Sequence, residues 1–119
     1  MKRKYFFVVL FLILAIFLSG CGGITNILSA NVTIDSWGQI SQRDIKIVYT
    51  VENTGNITIG YYEVYFKVAC NDGSVYQDWD FNIIVKVGEK ETNYFHILVP
   101  SGKEVISVYI NDYYLANYL

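Results

Sequence analysis

The sequence is poor in the residues that usually carry enzyme chemistry. It has one histidine, His96, and two cysteines, Cys21 and Cys70, in 119 residues. No C-x-x-C, H-x-H or Cys/His cluster is present, so no zinc or iron site is spelled out. No G-x-S-x-G marks a serine nucleophile. A general base needs a nucleophile and an orienting group beside it. His96 stands between Phe95 and Ile97 on an extended run and reads as a surface histidine, facing away from them with Tyr94 and Leu98. The expectation is therefore no catalytic residue, no metal and no cofactor. Proline is also scarce, with Pro100 alone, while Tyr, Ile, Val and Asn are plentiful. That mix favours strands and turns over helices.

Charge is sparse and nearly balanced, with nine basic and eleven acidic residues. Three of the basic residues, Lys2, Arg3 and Lys4, cluster at the N-terminus, and YFFVVLFLILAIFL follows over residues 5 to 18 without a charge. A basic start and an apolar run of this length have the pattern of a secretory signal. At about 1.5 Å per residue the run covers about 21 Å as a helix, short of the ~30 Å hydrocarbon core. An uncleaved anchor is the alternative, and it requires a thinned bilayer or help from flanking residues.

Ser19 and Gly20 are small, as a processing site requires. Leu18-Ser19-Gly20-Cys21 resembles the lipobox of prokaryotic lipoproteins at all four positions. The resemblance implies cleavage between Gly20 and Cys21, a thioether from Cys21 to diacylglycerol, and acyl chains that hold the protein on the cell membrane, facing the exterior or periplasm. Cysteine suits that chemistry because its thiolate is the nucleophile. Two acyl chains hold stably where one binds only reversibly.

Cleavage there would leave residues 21 to 119. Loss of the three basic residues leaves six against eleven acidic, a charge of −5 that argues against a nucleic-acid partner. With Cys21 lipidated, Cys70 has no mate, so the fold must rest on packing; Cys70 reads as a small buried hydrophobe. The organisation expected is a signal peptide over 1–20, lipidated Cys21 and a short tether through 29, one β-domain over 30–112, and a tail over 113–119 that extends or caps the last strand.

Within that domain the apolar period is two. Val32, Ile34 and Ser36 alternate with Thr33 and Asp35, and Ile45, Ile47, Tyr49 and Val51 alternate with polar residues. Asn53-Thr54-Gly55-Asn56 reads as the turn of a first hairpin, and Asn71-Asp72-Gly73-Ser74 as the turn of a second. Residues 57–70, 75–81, 82–87, 91–99 and 103–112 complete the strands, with Ile83, Val85 and Val87 expected inward and the last two strands expected as a pair around Pro100-Ser101-Gly102. Seven strands at this spacing predict an all-β, seven-strand immunoglobulin-like β-sandwich after an N-terminal signal helix.

The order IKIVYTVENTGN (45–56), YYEVYFKVACNDGS (61–74), VGEKETNYFHI (87–97) and VISVYI (105–110) is similar to FxLYD-type domains, small immunoglobulin-like modules of secreted and lipid-anchored prokaryotic proteins. Phe66 would be the core aromatic of the naming motif; Ala69 and Cys70 stand where the motif has Tyr and Asp. The resemblance implies a binding or structural module and supplies no catalytic residues.

Four features remain. Asp78 and Asp80 share one face of a strand, but with a distant Asp72 they fall short of the six to eight oxygens that calcium takes; they read as exposed charges that deter edge pairing. Asn31-Val32-Thr33 and Asn56-Ile57-Thr58 are N-x-[ST] acceptors, of consequence only in a host that glycosylates. The eleven tyrosines are a surplus. Alternation places Tyr65, and either Tyr61 or Tyr62, on an outer face, where tyrosine gives contact area at low entropic cost. The function expected is a membrane-anchored, non-enzymatic interaction module for a protein or cell-envelope partner, with Tyr61 and Tyr65 on its contact surface. A membrane-anchored ligand carrier or hydrolase, and a purely structural envelope spacer, are the alternatives.

Overall fold

The structure, a computed structural model, describes residues 25–118. Six strands cover most of them: β1 (Ala30–Gln39), β2 (Asp44–Asn53), β3 (Ile59–Cys70), β4 (Val75–Val85), β5 (Lys90–Leu98) and β6 (Val105–Ala116). They form two antiparallel sheets, ordered β1-β2-β5 and β4-β3-β6. No helix occurs among the described residues. The expected signal helix, the cleavage site at Gly20 and the lipidation site at Cys21 lie outside them.

The two sheets share one apolar core. β2 contributes Ile45, Ile47, Tyr49 and Val51, and β3 contributes Tyr62, Val64, Phe66, Val68 and Cys70. Both are central strands, so each presents an unbroken alternating face to the opposite sheet. Tyr49 of one sheet meets Phe66 of the other edge to face, with centroids 5.1 Å apart, and Phe95 stacks on Phe66 at 5.7 Å. Tyr62 is the buried member of the Tyr61/Tyr62 pair.

Three expectations are corrected. The strands expected over 75–81 and 82–87 are one strand, β4, paired with β3 from Ala69↔Val75 to Ile59↔Val85. The strand runs unbroken through Phe81-Asn82, so the described residues hold six strands and not seven. The Asn53–Asn56 turn does not close a hairpin, because β2 pairs with β1 and β5 while β3 pairs with β4 and β6. It arches from one sheet to the other. Asn53 is buried there and fully satisfied: its Nδ2 donates to the carbonyls of Ile57 (2.8 Å) and Val85 (2.9 Å), and its Oδ1 accepts from the Gly55 N–H (2.9 Å). The last two strands likewise lie in different sheets. Alternation tells which face of a strand is apolar but not which strand lies beside it, so it does not set these pairings.

The Asn71–Ser74 turn does close a hairpin, β3 to β4. Gly73 takes φ 87°, and Asp72 Oδ1 accepts from the Ser74 N–H at 3.0 Å. Tyr113 to Ala116 continue β6.

Candidate interaction face

β4 runs against its own amphipathic pattern. Its register with β3 turns Val75, Gln77, Trp79, Phe81 and Ile83 outward, beside the outward residues Ala69, Lys67, Tyr65, Glu63 and Tyr61. Its polar residues Asp78, Asp80 and Asn82 face inward with Tyr76 and are half-buried. The expectation of Ile83 and Val87 inside is therefore corrected: both are exposed, and only Val85 of that trio is buried. Asp78 and Asp80 are not exposed charges either. The Tyr49 hydroxyl donates to Asp80 Oδ2 at 2.5 Å. Burial first, and that bond second, hold the Tyr49 hydroxyl far above its ordinary pKa.

The inward polar groups meet others from β5. Asn82 Nδ2 donates to Glu91 Oε1 (2.8 Å) and Asn93 Oδ1 (3.0 Å), and Asn93 Nδ2 donates to the Tyr62 hydroxyl (2.6 Å). The result is a polar seam where the β4 edge of one sheet faces the β5 edge of the other. Desolvation there raises the Glu91 carboxyl above its usual range. No fully buried side-chain nitrogen or oxygen among the described residues lacks a partner.

The outer face of this sheet is aromatic. Tyr65 stacks on Trp79 (6.2 Å), Trp79 abuts Phe81 (5.7 Å), Phe81 abuts Tyr61 (6.1 Å), and Tyr61 meets Tyr114 of β6 edge to face (6.4 Å). Trp79 is 45% and Phe81 56% exposed, so these rings touch each other and water. Glu63 stands among them and accepts from the Tyr65 hydroxyl at 2.5 Å. That bond pushes the Tyr65 hydroxyl up to about 12; the Tyr61 hydroxyl is also raised, by desolvation first and Glu63 second. Both phenols therefore stay neutral donors at physiological pH. The structure thus brings Tyr61 and Tyr65 together on one surface, with Trp79, Phe81, Ile83, Tyr109 and Tyr114 joining them. The odd-numbered apolar residues of 75–83 were visible as an alternating set, but such a set normally reads as core.

The other singled-out residues lie elsewhere. Asn31 and Asn56 sit at the end of the molecule where the described chain begins; Asn31 is exposed on β1, and both ends of the Asn56 amide are engaged by Thr25 and Ile27. His96 is on the outer face of the other sheet, its Nδ1 2.9 Å from Asp44 Oδ1, with no nucleophile in that contact. Cys70 is buried. A cleft of about 430 Å³ at the opposite end is lined by Gln39, Gln42, Ser101, Gly102, Lys103 and Glu104. Among the described residues no three His, Cys, Asp or Glu side chains gather as a metal site.

No protein-family model matches the chain, and no curated protein matches it. Among solved structures it is similar to a β-glucosidase from Kluyveromyces marxianus in complex with glucose, at a TM-score of 0.48 and 14% identity over 77% of this chain. The chain spans 15% of that protein's length, and a likeness at this level carries no argument.

Proposed function

We propose that this protein is a membrane-anchored, non-enzymatic interaction module, held on the outer surface of a cell membrane through lipidated Cys21 and binding a protein partner with the outer face of the β4-β3-β6 sheet. The lipobox-like Leu18–Cys21 supports the anchor. The two sheets are best read as an immunoglobulin-like sandwich; strands 1, 2 and 5 in one sheet and 3, 4 and 6 in the other, joined by arches between sheets, support that reading and agree with the FxLYD-type resemblance.

The observation that carries the binding role is the inverted β4, which leaves Trp79, Phe81 and Ile83 in water. Aromatic residues are the side chains most enriched where proteins meet. Size sets the expected strength. With strands about 4.8 Å apart and about 3.3 Å per residue, three strands over ten residues present about 475 Å². Each partner in a standard interface contributes about 800 Å². The face alone would hold a partner weakly, and a membrane tether compensates by raising effective concentration.

The test replaces Tyr65 with a photoreactive residue in tagged protein in its own host, with a matched replacement at Thr50 on the other outer face. A recurrent cross-linked partner from position 65 and not from 50, on a chain whose mass begins at Cys21 and includes acyl groups, is the expected result. Equal cross-linking from both positions would remove the proposed face. An unmodified mass beginning at Met1 would remove the lipid anchor.

A further inference from the structure

The end of the molecule nearest the N-terminal segment is built differently from the opposite end. The chain from Thr25 to Ser29 is strapped onto the arch after β2. The Asn56 N–H donates to the Ile27 carbonyl (3.0 Å), the Ile27 N–H to Asn56 Oδ1 (2.6 Å), Asn56 Nδ2 to the Thr25 carbonyl (2.7 Å) and the Thr54 N–H to the Ser29 carbonyl (3.1 Å). Gly55 is required beneath the strap, since a Cβ there would collide with the Ile27 carbonyl. The turn after β4 joins the same end, where the Asn53 N–H donates to the Glu89 carbonyl at 3.0 Å. So does the tail, whose Asn117 and Tyr118 backbone lies against Gly60.

Apolar side chains ring this end. Ile27 is 52%, Ile84 47%, Val87 50% and Tyr118 67% exposed. Ile84 is a β-branched residue at φ 60°, a strained conformation for such a residue that clusters at functional sites. It breaks the alternation of β4, so that Ile83 and Ile84 are both exposed and Val85 turns into the core. The opposite end exposes Ile40, Val75, Leu98 and Ile106, but it sets them among Gln39, Gln42, Arg43 and Glu104 and the Asp72–Lys103 ion pair, and it is the end remote from Thr25.

We infer that the end formed by the strap, the two turns and Tyr118 is seated in the interfacial layer of the lipid bilayer, with Ile27, Ile84, Val87 and Tyr118 entering it. The inference rests on the anchor reading. Cys21 precedes Thr25 by four residues, and four residues cannot span more than about 14 Å. A lipid on Cys21 therefore brings this end, and no other, against the headgroups. The strap keeps the domain from hanging free on a flexible lead. Aromatic and aliphatic side chains suit the boundary between headgroups and acyl chains. A domain of charge −5 gains no general attraction to anionic lipid, so the contact is apolar and local.

The test uses the acylated chain purified from host membranes and reconstituted into phosphatidylcholine vesicles that carry nitroxide-labelled acyl chains. An environment-sensitive fluorophore is placed at Val87→Cys, at Tyr118→Cys and, for the opposite end, at Ser101→Cys; Cys70 is buried and stays unlabelled. The expected result is at least twofold quenching at 87 and 118 and none at 101. Two labelled sites keep the test open if one substitution disturbs its turn. Chains that float with the vesicles yet show no quenching at 87 and 118, or equal quenching at all three positions, overturn the inference and leave the anchor standing. Chains that do not float overturn the anchor reading and this inference with it.

Discussion

β2 and β4 carry the same alternation and use it in opposite directions. β2 sends Ile45, Ile47, Tyr49 and Val51 into the core and leaves Lys46, Thr50 and Glu52 outside. β4 sends Asp78, Asp80 and Asn82 inward and leaves Trp79, Phe81 and Ile83 outside. Position in the sheet explains how both are tolerated. β2 is central, and its inner face lies under the opposite sheet, where an unpaired polar group would be costly. β4 is an edge strand, and its inner face looks onto the rim, where Tyr49, Glu91 and Asn93 supply hydrogen bonds. Inward-pointing charges on an edge strand also discourage pairing with another chain.

Tolerance does not explain why the apolar set faces water. A slip of one residue would exchange the two faces of β4, and fully burying Phe81 would contribute about 1.5–3 kcal/mol. The Asn71–Ser74 turn, with Gly73 at φ 87°, and the Tyr49–Asp80 bond hold the register that forgoes this gain. The proposed partner would cover the aromatic rings that this register leaves in solvent.

The contrast is broken most severely by matched truncations. Ile47→Ala removes a fully buried β2 side chain and should cost about 2–5 kcal/mol. Phe81→Ala removes only ring contacts with Tyr61 and Trp79 and should cost about 1 kcal/mol. Urea unfolding of both variants measures the difference. Equal losses would mean that the outer face is packed like a core, and the contrast would fall.

The seam between the strands comes next. Tyr49→Phe leaves Asp80 without its donor and should cost about 1–3 kcal/mol. Combination with Asp80→Ala tests the coupling: the double variant should lose less than the sum of the two single losses, because each removes the same bond. Additive losses in urea unfolding would show that the bond does not tie the sheets together.

The sequence made one of these strands legible and hid the other, for a physical reason. Ile45 to Val51 read correctly because an alternating apolar set on a central strand has one stable placement. Trp79, Phe81 and Ile83 form an equally clear set, and the inference from pattern to core fails there because the β3–β4 register turns the set outward. Tyr65 was found because it lies opposite Phe66 and Val68, whose burial was plain from the sequence. Trp79 became part of the same surface only through the β3–β4 register, which depends on the turn. The arches at Asn53–Asn56 and Pro100–Gly102 read as hairpins in the sequence because turn chemistry is local and says nothing of which sheet the next strand joins.

The two outer faces differ less sharply, and truncation should measure it. Tyr65→Ala loses stacking on Trp79 and should cost about 0.5–1.5 kcal/mol. Tyr94→Ala, on the outer face of β5, loses the Lys46 ammonium poised 4.8 Å above its ring and should cost about 0.5 kcal/mol. If thermal unfolding ranks Tyr94 above Tyr65, the aromatic face is not a mutually supporting cluster.

The smallest effect concerns the turn that sets β4's register. The Lys103 ammonium, and after it Ser74, hold the Asp72 carboxyl well below the usual carboxylate range, and Asp72 in turn raises Lys103. A depressed carboxyl contributes stability that is present above its unfolded value of about 3.9 and is lost as pH falls through the folded one. The raised lysine contributes stability present below its unfolded value of about 10.4 and lost as pH rises through the folded one. The advantage of the native chain over Asp72→Asn should therefore form a plateau between those limits, shrinking below about pH 4 and again in strong alkali. Both groups are solvent-exposed, so the plateau should be low and 1 M salt should flatten it. Melting curves of the two proteins across pH, at low and high salt, measure this directly. A plateau that survives 1 M salt would assign Asp72's role to the Ser74 turn bonds rather than to Lys103, and would place the control of β4's register in the turn alone.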